Sequence, residues 1–242
     1  MAVIVIVPYR NREPQLSRIL PHLRKHGAEK VVICEQTHDG QPFNRGCVKN
    51  LGFLLSGARS KDTVYFHDVD LLPGDAFPGF TAAPDNTILH LYGHVHCLGG
   101  IVGMQANVFS AIGGFCNDQW EWGGEDRALQ DTALNNNVAI NRRRFCKRFS
   151  NDAFVRELNG EGRPMPGRLA KVAFLNQINS EVKRVPSHRL YPGLHGDMPM
   201  KPTCVGWRTS PQVLHWIVQT KDEQDGVTVS PVSAELRMGS RS

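Results

Sequence analysis

Three features of the sequence predict an α/β fold built on a doubly wound, mostly parallel sheet with helices on both faces. Apolar strands and amphipathic helices alternate through the first 73 residues, the strands are continuous β-branched runs, and the third ends in a pair of aspartates. Strands covered by helices on both faces read as unbroken apolar runs. A strand–helix–strand–helix–strand order joins them through crossovers, and such sheets bind ligands outside the carboxyl ends of their strands.

Each element has its own signal. "AVIVIVPY" is the first buried strand, ending at a proline. In "RNREPQLSRILPHLRKHG", Leu16, Ile19, Leu20 and Leu23 recur at helical spacing, with a kink expected at Pro21 and a stop at Gly27. "KVVICEQ" is the second strand, "THDGQPFNRG" a polar turn, and Val48 to Leu55 an apolar helical stretch. "DTVYFHDVDLLP" is the third strand, acidic at its end and broken by Pro73. From Gly74 to Gly114 short runs rich in Gly and His read as edge strands and loops flanking a site. A helix is expected from about Glu125 to Leu134, stopped by "NNN". Beyond Asn151 the pattern is loop-like through "NGEGRPMPGR", with a last strand at "VLHWIVQT".

Length and composition, 242 residues with 40% hydrophobic and 21% charged, fit a single domain over 1–236. A nucleotide-binding half is expected over 1–73 and a donor and acceptor half over 74–236, with 237–242 read as a vector-derived tail. No run approaches the roughly 18 apolar residues that span a bilayer. Six cysteines without CxxC spacing indicate neither a zinc site nor a disulfide framework. Together with a strand that starts near Met1, these features lead to the expectation of a cytoplasmic protein with reduced thiols. The formal charge of +5 favours anionic partners such as nucleotides or diphospho-lipids. "NRRRFCKR", residues 141–148, reads as a solvated face or as a site of peripheral association with an anionic membrane at its inner face.

If the third strand runs on through "FHDVDLLP", Asp68 and Asp70 project on the same side. Paired carboxylates repel unless a cation or donors lie between them, and oxygen ligands of this kind suit Mn²⁺ or Mg²⁺ holding a diphosphate. An acidic turn after a strand is the plain alternative. In "WEWGGEDRALQ", residues 120–130, Asp126 falls at a helix N-terminus where the dipole favours the ionised form that a general base requires. Capping alone accounts for Glu125 and Asp126, but not for two tryptophans and two glycines.

Five ordered stretches, "VIVPYRNREPQL", "FNRGCVKNLGF", "FHDVDLLP", "GGIVGMQANVFSAIGGF" and "WEWGGEDRALQ", resemble the β-1,4-galactosyltransferase family over roughly residues 3–135. The resemblance implies a GT-A fold with a small acceptor-side subregion and inverting, metal-dependent transfer from a UDP-sugar. It implies that Pro8, Arg10 and Arg12 border the uridine and diphosphate, that Phe43 stacks on uracil beside Arg45, and that Asp70 is the manganese ligand. Asp68 would contact ribose or donor sugar, with Val69 and Gly100 lining the donor site. Asp126 would be the base. Glu125 would bind donor or acceptor hydroxyls, Trp122 and Trp120 would form the acceptor platform, and Gly123 and Gly124 would let backbone approach the substrates.

The sequence departs from the family at two places. A Met-x-x-His element commonly completes the metal site about two dozen residues past GGED; here "FSND", Phe149 to Asp152, leaves Asp152, His188 or His195 as the candidates. Galactose-preferring members carry tyrosine two positions before the first glycine of "GGIVG", where this chain has Cys97, a smaller residue that opens the donor choice to UDP-N-acetylgalactosamine. The expected partners are a UDP-sugar and a saccharide or glycolipid acceptor, not nucleic acid. The competing readings are a nucleotidyltransferase, against which the first loop lacks a Gly-rich, lysine-bearing cradle, and a saccharide-binding relic without turnover.

Overall fold

The structure, a computed structural model, describes residues 1–37, 42–117, 119, 124–158 and 194, and the backbone of 203–210 and 213–219. Strand β1 (Val3–Tyr9) is buried along its length. Its even and odd residues serve different cores. Ile4 and Ile6 join Val48, Leu51, Phe109 and Leu129, whereas Val3, Val5 and Val7 join Leu16, Ile19 and Leu23. That two-sided burial explains why the run has no polar alternation.

Helix α1 (Glu13–Lys25) follows β1, keeps Pro21 inside it and buries Leu16, Ile19 and Leu23. β2 (Lys30–Gln36), α2 (Arg45–Leu55) and β3 (Thr63–His67) complete the alternation. α2 starts three residues before the expected Val48, because the Asn44 side chain accepts the backbone N–H of Cys47 at 2.9 Å and caps the helix.

β4 (Leu71–Pro73), β5 (Thr87–Gly93), β6 (Ile101–Gln105), α3 (Ala106–Ala111) and α4 (Glu125–Asn135) follow, then β7 (Ala139–Asn141), β8 (Cys146–Lys147) and β9 (Val155–Glu157). β10 (Thr203–Ser210) and β11 (Val213–Gln219) are the last strands described. The main sheet has the order β10-β11-β2-β1-β3-β6-β5-β7, with β8 beside β5. β11, β2, β1 and β3 are mutually parallel, while β6 runs antiparallel to both β3 and β5. β11 lies where the last strand was expected, whereas β10 and α3 had no counterpart in the sequence reading. Because β11 pairs with β2 and β6 with β3, residues on both sides of position 73 share one sheet.

The third strand does not run through to Pro73 as expected. It stops at His67, and Asp68 to Asp70 form a turn, with Leu71 N–H donating to Asp68 O at 3.2 Å and Asp68 N–H to Gly100 O at 3.2 Å. β4 then pairs with β9 in a separate two-stranded sheet. Strand alternation therefore does not set the directions of Asp68 and Asp70; the turn does.

Candidate active site

The carboxyl end of β3, the amino end of α2 and the amino end of α4 converge on one charged cluster. Arg45 and Lys49 are four residues apart on α2 and so share a face. Arg45 Nε donates to Glu125 Oε1 at 2.6 Å and Nη2 bonds the same oxygen; its guanidinium also lies 3.9 Å from both Asp68 and Asp126. Lys49 Nζ donates to Asp126 Oδ1 at 3.0 Å and lies 3.8 Å from Asp68 Oδ1. Burial works against both cations, yet the surrounding carboxylates hold each above its ordinary pKa.

The acids respond differently. Burial alone would raise Asp68, but Lys49, Arg45 and Arg148 outweigh it and hold the carboxyl below its usual range. Burial pushes Glu125 up despite Arg45. Burial and the neighbouring Asp68 carboxylate push Asp70 up to about 6, with Glu157 adding to the effect. Asp68 Oδ1 and Glu125 Oε2 are buried without a hydrogen-bond partner.

Glycine makes this corner possible. Gly124, the residue before α4, has φ 103°, in the region that disfavours side chains. A Cβ on Gly99 would lie 2.3 Å from Asp126 Oδ2. Leu98 N–H donates to Asp126 O at 2.9 Å, so the strip from Leu98 to Gly100 touches both Asp126 and, through Gly100, Asp68. Half-buried Cys97 precedes that strip, and burial followed by the Asp126 charge pushes its thiol up to about 12.

A second layer braces the first. His90 Nδ1 accepts from Arg142 Nε at 3.0 Å, which leaves Nε2 to donate to Gly99 O at 3.2 Å, and Arg142 Nη2 donates to Gln130 of α4 at 2.6 Å. Arg148 grips Glu157 with two bonds of 2.6 and 2.8 Å, and Tyr92 Oη donates to Glu157 at 2.9 Å. The basic run 141–148 is therefore neither wholly solvated nor wholly free for a membrane: Arg142 and Arg148 are spent internally, and Arg143, Arg144 and Lys147 are exposed.

Of the residues singled out from the sequence, Asp68, Arg45, Glu125 and Asp126 meet in this cluster, with Gly100 bonded to Asp68 and the Asp70 carboxyl close enough to feel the Asp68 charge. The Arg45 guanidinium faces the acids of α4. Phe43 packs against the core next to α2, with the Arg10 guanidinium 5.3 Å from its ring centre. Val69 packs partly buried against the α1-side core. Pro8 is buried inside β1 opposite Cys34, and Arg12 is exposed before α1.

Asp152 does not reach Asp70. The register sets Leu71 opposite Glu157 and Pro73 opposite Val155, with Leu158 N–H donating to Asp70 O at 2.7 Å. Exposed Asp152 thus lies past the far end of this ladder, against Gly74, and Glu157 occupies the neighbourhood of Asp70 instead. Trp120, Trp122, Gly123, His188 and His195 lie outside the described residues. The sequence reading missed Lys49, Arg148, Glu157, Tyr92, His90 and Arg142. Only Lys49 carried a local signal, its spacing of four from Arg45.

Among the described residues five carboxylates, Asp68, Asp70, Glu125, Asp126 and Glu157, meet three cations, Arg45, Lys49 and Arg148. The excess of acid, the raised Asp70 and the orphaned oxygens of Asp68 and Glu125 fit a divalent cation. Among the described residues no three His, Cys, Asp or Glu side chains form a complete cage. One or two carboxylates with phosphate oxygens and water are the usual way such an ion is held at a nucleotide.

Comparison with known proteins gives this corner its context. Residues 1–81 match the family description "N-terminal region of glycosyl transferase group 7", and residues 90–152 match "N-terminal domain of galactosyltransferase" from the same group. Beta-1,4-galactosyltransferase 6 of Rattus norvegicus is 36% identical over 141 residues, 52% of this chain and 37% of the relative. Beta-1,4-galactosyltransferase 4 of Cricetulus griseus is 32% identical over 142 residues, 53% and 41% respectively. The chain thus spans about two fifths of the length of these relatives.

The catalytic domain of Drosophila beta1,4galactosyltransferase 7, solved with xylobiose, superposes with a TM-score of 0.63 at 18% identity, covering 92% of this chain and 95% of that one. A mutant of the same enzyme, solved with manganese, UDP-Gal and xylobiose, superposes equally well at 16% identity, covering 92% and 96%. The fold is GT-A, as the resemblance implied.

The relatives also correct the expectation of a cytoplasmic protein at an inner membrane face: β-1,4-galactosyltransferases of this family are Golgi-lumenal type II membrane enzymes. Among the described residues no helix is long and apolar enough to cross a membrane. The ordered motifs, the fold and two matches from one family that together span more than half of the sequence converge on a single conclusion: the chain belongs to the β-1,4-galactosyltransferase family, glycosyltransferase group 7.

Proposed function

We propose that this protein is an inverting glycosyltransferase that moves galactose, or N-acetylgalactosamine, from its UDP-sugar to a saccharide hydroxyl, free or lipid-borne, and forms a β-linkage. The observation that carries the reading is the meeting of Asp68 and Asp126 in one cluster under Arg45 and Lys49, next to Asp70. That meeting supports a site in which donor and acceptor lie within a side chain's reach of each other.

Asp126 is the general base. It accepts the proton of the acceptor hydroxyl as that oxygen bonds to the anomeric carbon, while the bond from that carbon to the UDP oxygen breaks and the electron pair leaves with UDP. Attack from the face opposite UDP inverts the centre without a covalent enzyme intermediate. Ionised Asp68, held by Lys49 and Arg45, accepts hydrogen bonds from donor hydroxyls, and Phe43 with Arg10 offers a stacking face to the base. Asp70 would hold Mn²⁺, which when bound supplies charge neutralisation for the diphosphate. Trp122 and Trp120 complete the reading as the acceptor platform.

Donor choice rests on Cys97, small and next to the Asp126 strip. A panel of UDP-galactose, UDP-N-acetylgalactosamine and UDP-glucose against saccharide acceptors, read as released UDP, tests the proposal. Acceptor-dependent release from one of the first two supports it, and release from none rejects it. Cys97→Tyr should shift preference toward galactose; an unchanged preference removes Cys97 from the donor pocket.

A further inference from the structure

Helix α2 is buried from Gly46 to Phe53, mostly through apolar residues such as Cys47, Val48, Leu51 and Phe53, yet it also buries a charged one, Lys49, 1% exposed. An aliphatic side chain of similar length would fill the same space, whereas a buried ammonium requires matching charge. The match is specific. Nζ lies 3.0 Å from Asp126 Oδ1 and 3.8 Å from Asp68 Oδ1, above the face of Phe115 at 4.5 Å. Asp126 Oδ2 has Arg45 as its neighbouring cation only at 3.9 Å, beyond hydrogen-bond reach. The two carboxylate oxygens are therefore not equivalent.

We propose that Lys49 is a positioning residue of the transfer reaction: its ammonium holds Asp126 Oδ1, fixes the carboxylate plane, and presents Oδ2 to the acceptor hydroxyl. Through Asp68 the same ammonium ties the donor-side turn after β3 to the acceptor-side helix α4, so that the base is aligned relative to the bound donor. The inference rests on the transferase reading above, with Asp126 as its base.

The test is a double-mutant cycle of Lys49→Met and Asp126→Asn with Mn²⁺, the active UDP-sugar and its acceptor. Lys49→Met should lower kcat about 10-fold or more while KM for the UDP-sugar stays within about threefold, and Lys49→Arg should restore part of kcat, as loss of alignment of a general base requires. A packing role would move neither kcat alone nor recover with arginine. In the Asp126→Asn background, Lys49→Met should change residual turnover less than about threefold, because the group it acts through is gone. That double variant removes one charge of each sign, so it remains informative if Lys49→Met alone does not fold. Lys49→Met with native kcat, or an equal loss in both backgrounds, overturns the inference while leaving the transferase reading in place. A wild-type chain that releases no UDP sinks both.

Discussion

Arg45 of α2 and Glu125 of α4 form a buried ion pair, with Nε donating to Oε1 at 2.6 Å and the partners' side chains 14% and 1% exposed. This pair joins α2 to α4, the helix that carries the proposed base. Breaking one partner of a buried pair strands the other charge, and here it would also take from Asp126 and Asp68 one of the cations that face them, Lys49 remaining beside both. Arg45→Met should therefore destabilise the fold by about 3–5 kcal/mol in denaturant titration. A loss below about 1 kcal/mol would show that the pair is solvated.

Asp126→Asn keeps the shape of the side chain and removes its basicity. Turnover should fall on the order of 10²-fold or more, while UDP binding measured calorimetrically with Mn²⁺ stays close to that of the native chain. Near-native turnover would take Asp126 out of the proposed role.

Gly99→Ala places a Cβ 2.3 Å from Asp126 Oδ2 and 2.9 Å from its Cγ. Asp126 is short, begins a helix and is pinned by Lys49, so it has little room to yield. The expected result is a loss of kcat of about 10-fold or more with UDP affinity little changed, as displacement of a positioned group by about an ångström gives. Equal losses in kcat and UDP affinity would indicate a general collapse of the corner instead.

His90 should be one of the groups through which acid lowers stability. Burial and the Arg142 charge hold it down to about 4, against an ordinary value of 6.5. Above pH 6.5 the neutral ring costs nothing. Between 6.5 and 4 the unfolded chain binds a proton that the native ring refuses, so stability falls, by at most about 3 kcal/mol for this group. Stability measured from pH 7.5 to 4 should decline over that window, and His90→Gln should flatten the decline. An identical slope in the variant would assign the loss to other groups, among them His67, which burial also lowers to about 4.

The alternation of strands and helices was legible because β1, β2 and β3 are buried on both faces, and unbroken β-branched runs have few other uses. Asp68, Asp126 and Glu125 were legible as charges at element ends. The break of β3 at His67 was not, because the bond from Asp68 N–H to Gly100 O joins residues 32 apart and leaves no local trace. The same holds for Glu157 beside Asp70 and for Arg142 beneath His90: each is placed by strand register, which a linear pattern of charges does not reveal. Arg148, read as part of a basic patch, is recognisable as an internal counter-ion only once Glu157 faces it.

The central claim is that the Asp126 corner and the Asp70 turn form one transferase site. The most direct measurement is UDP released from UDP-galactose or UDP-N-acetylgalactosamine by the native chain and by Asp126→Asn, with and without a saccharide acceptor, in Mn²⁺ and in excess chelator. Release by the native chain that requires both acceptor and Mn²⁺, and that falls on the order of 10²-fold in the variant, is the predicted result. Release indifferent to acceptor, or equal in the two chains, would contradict it.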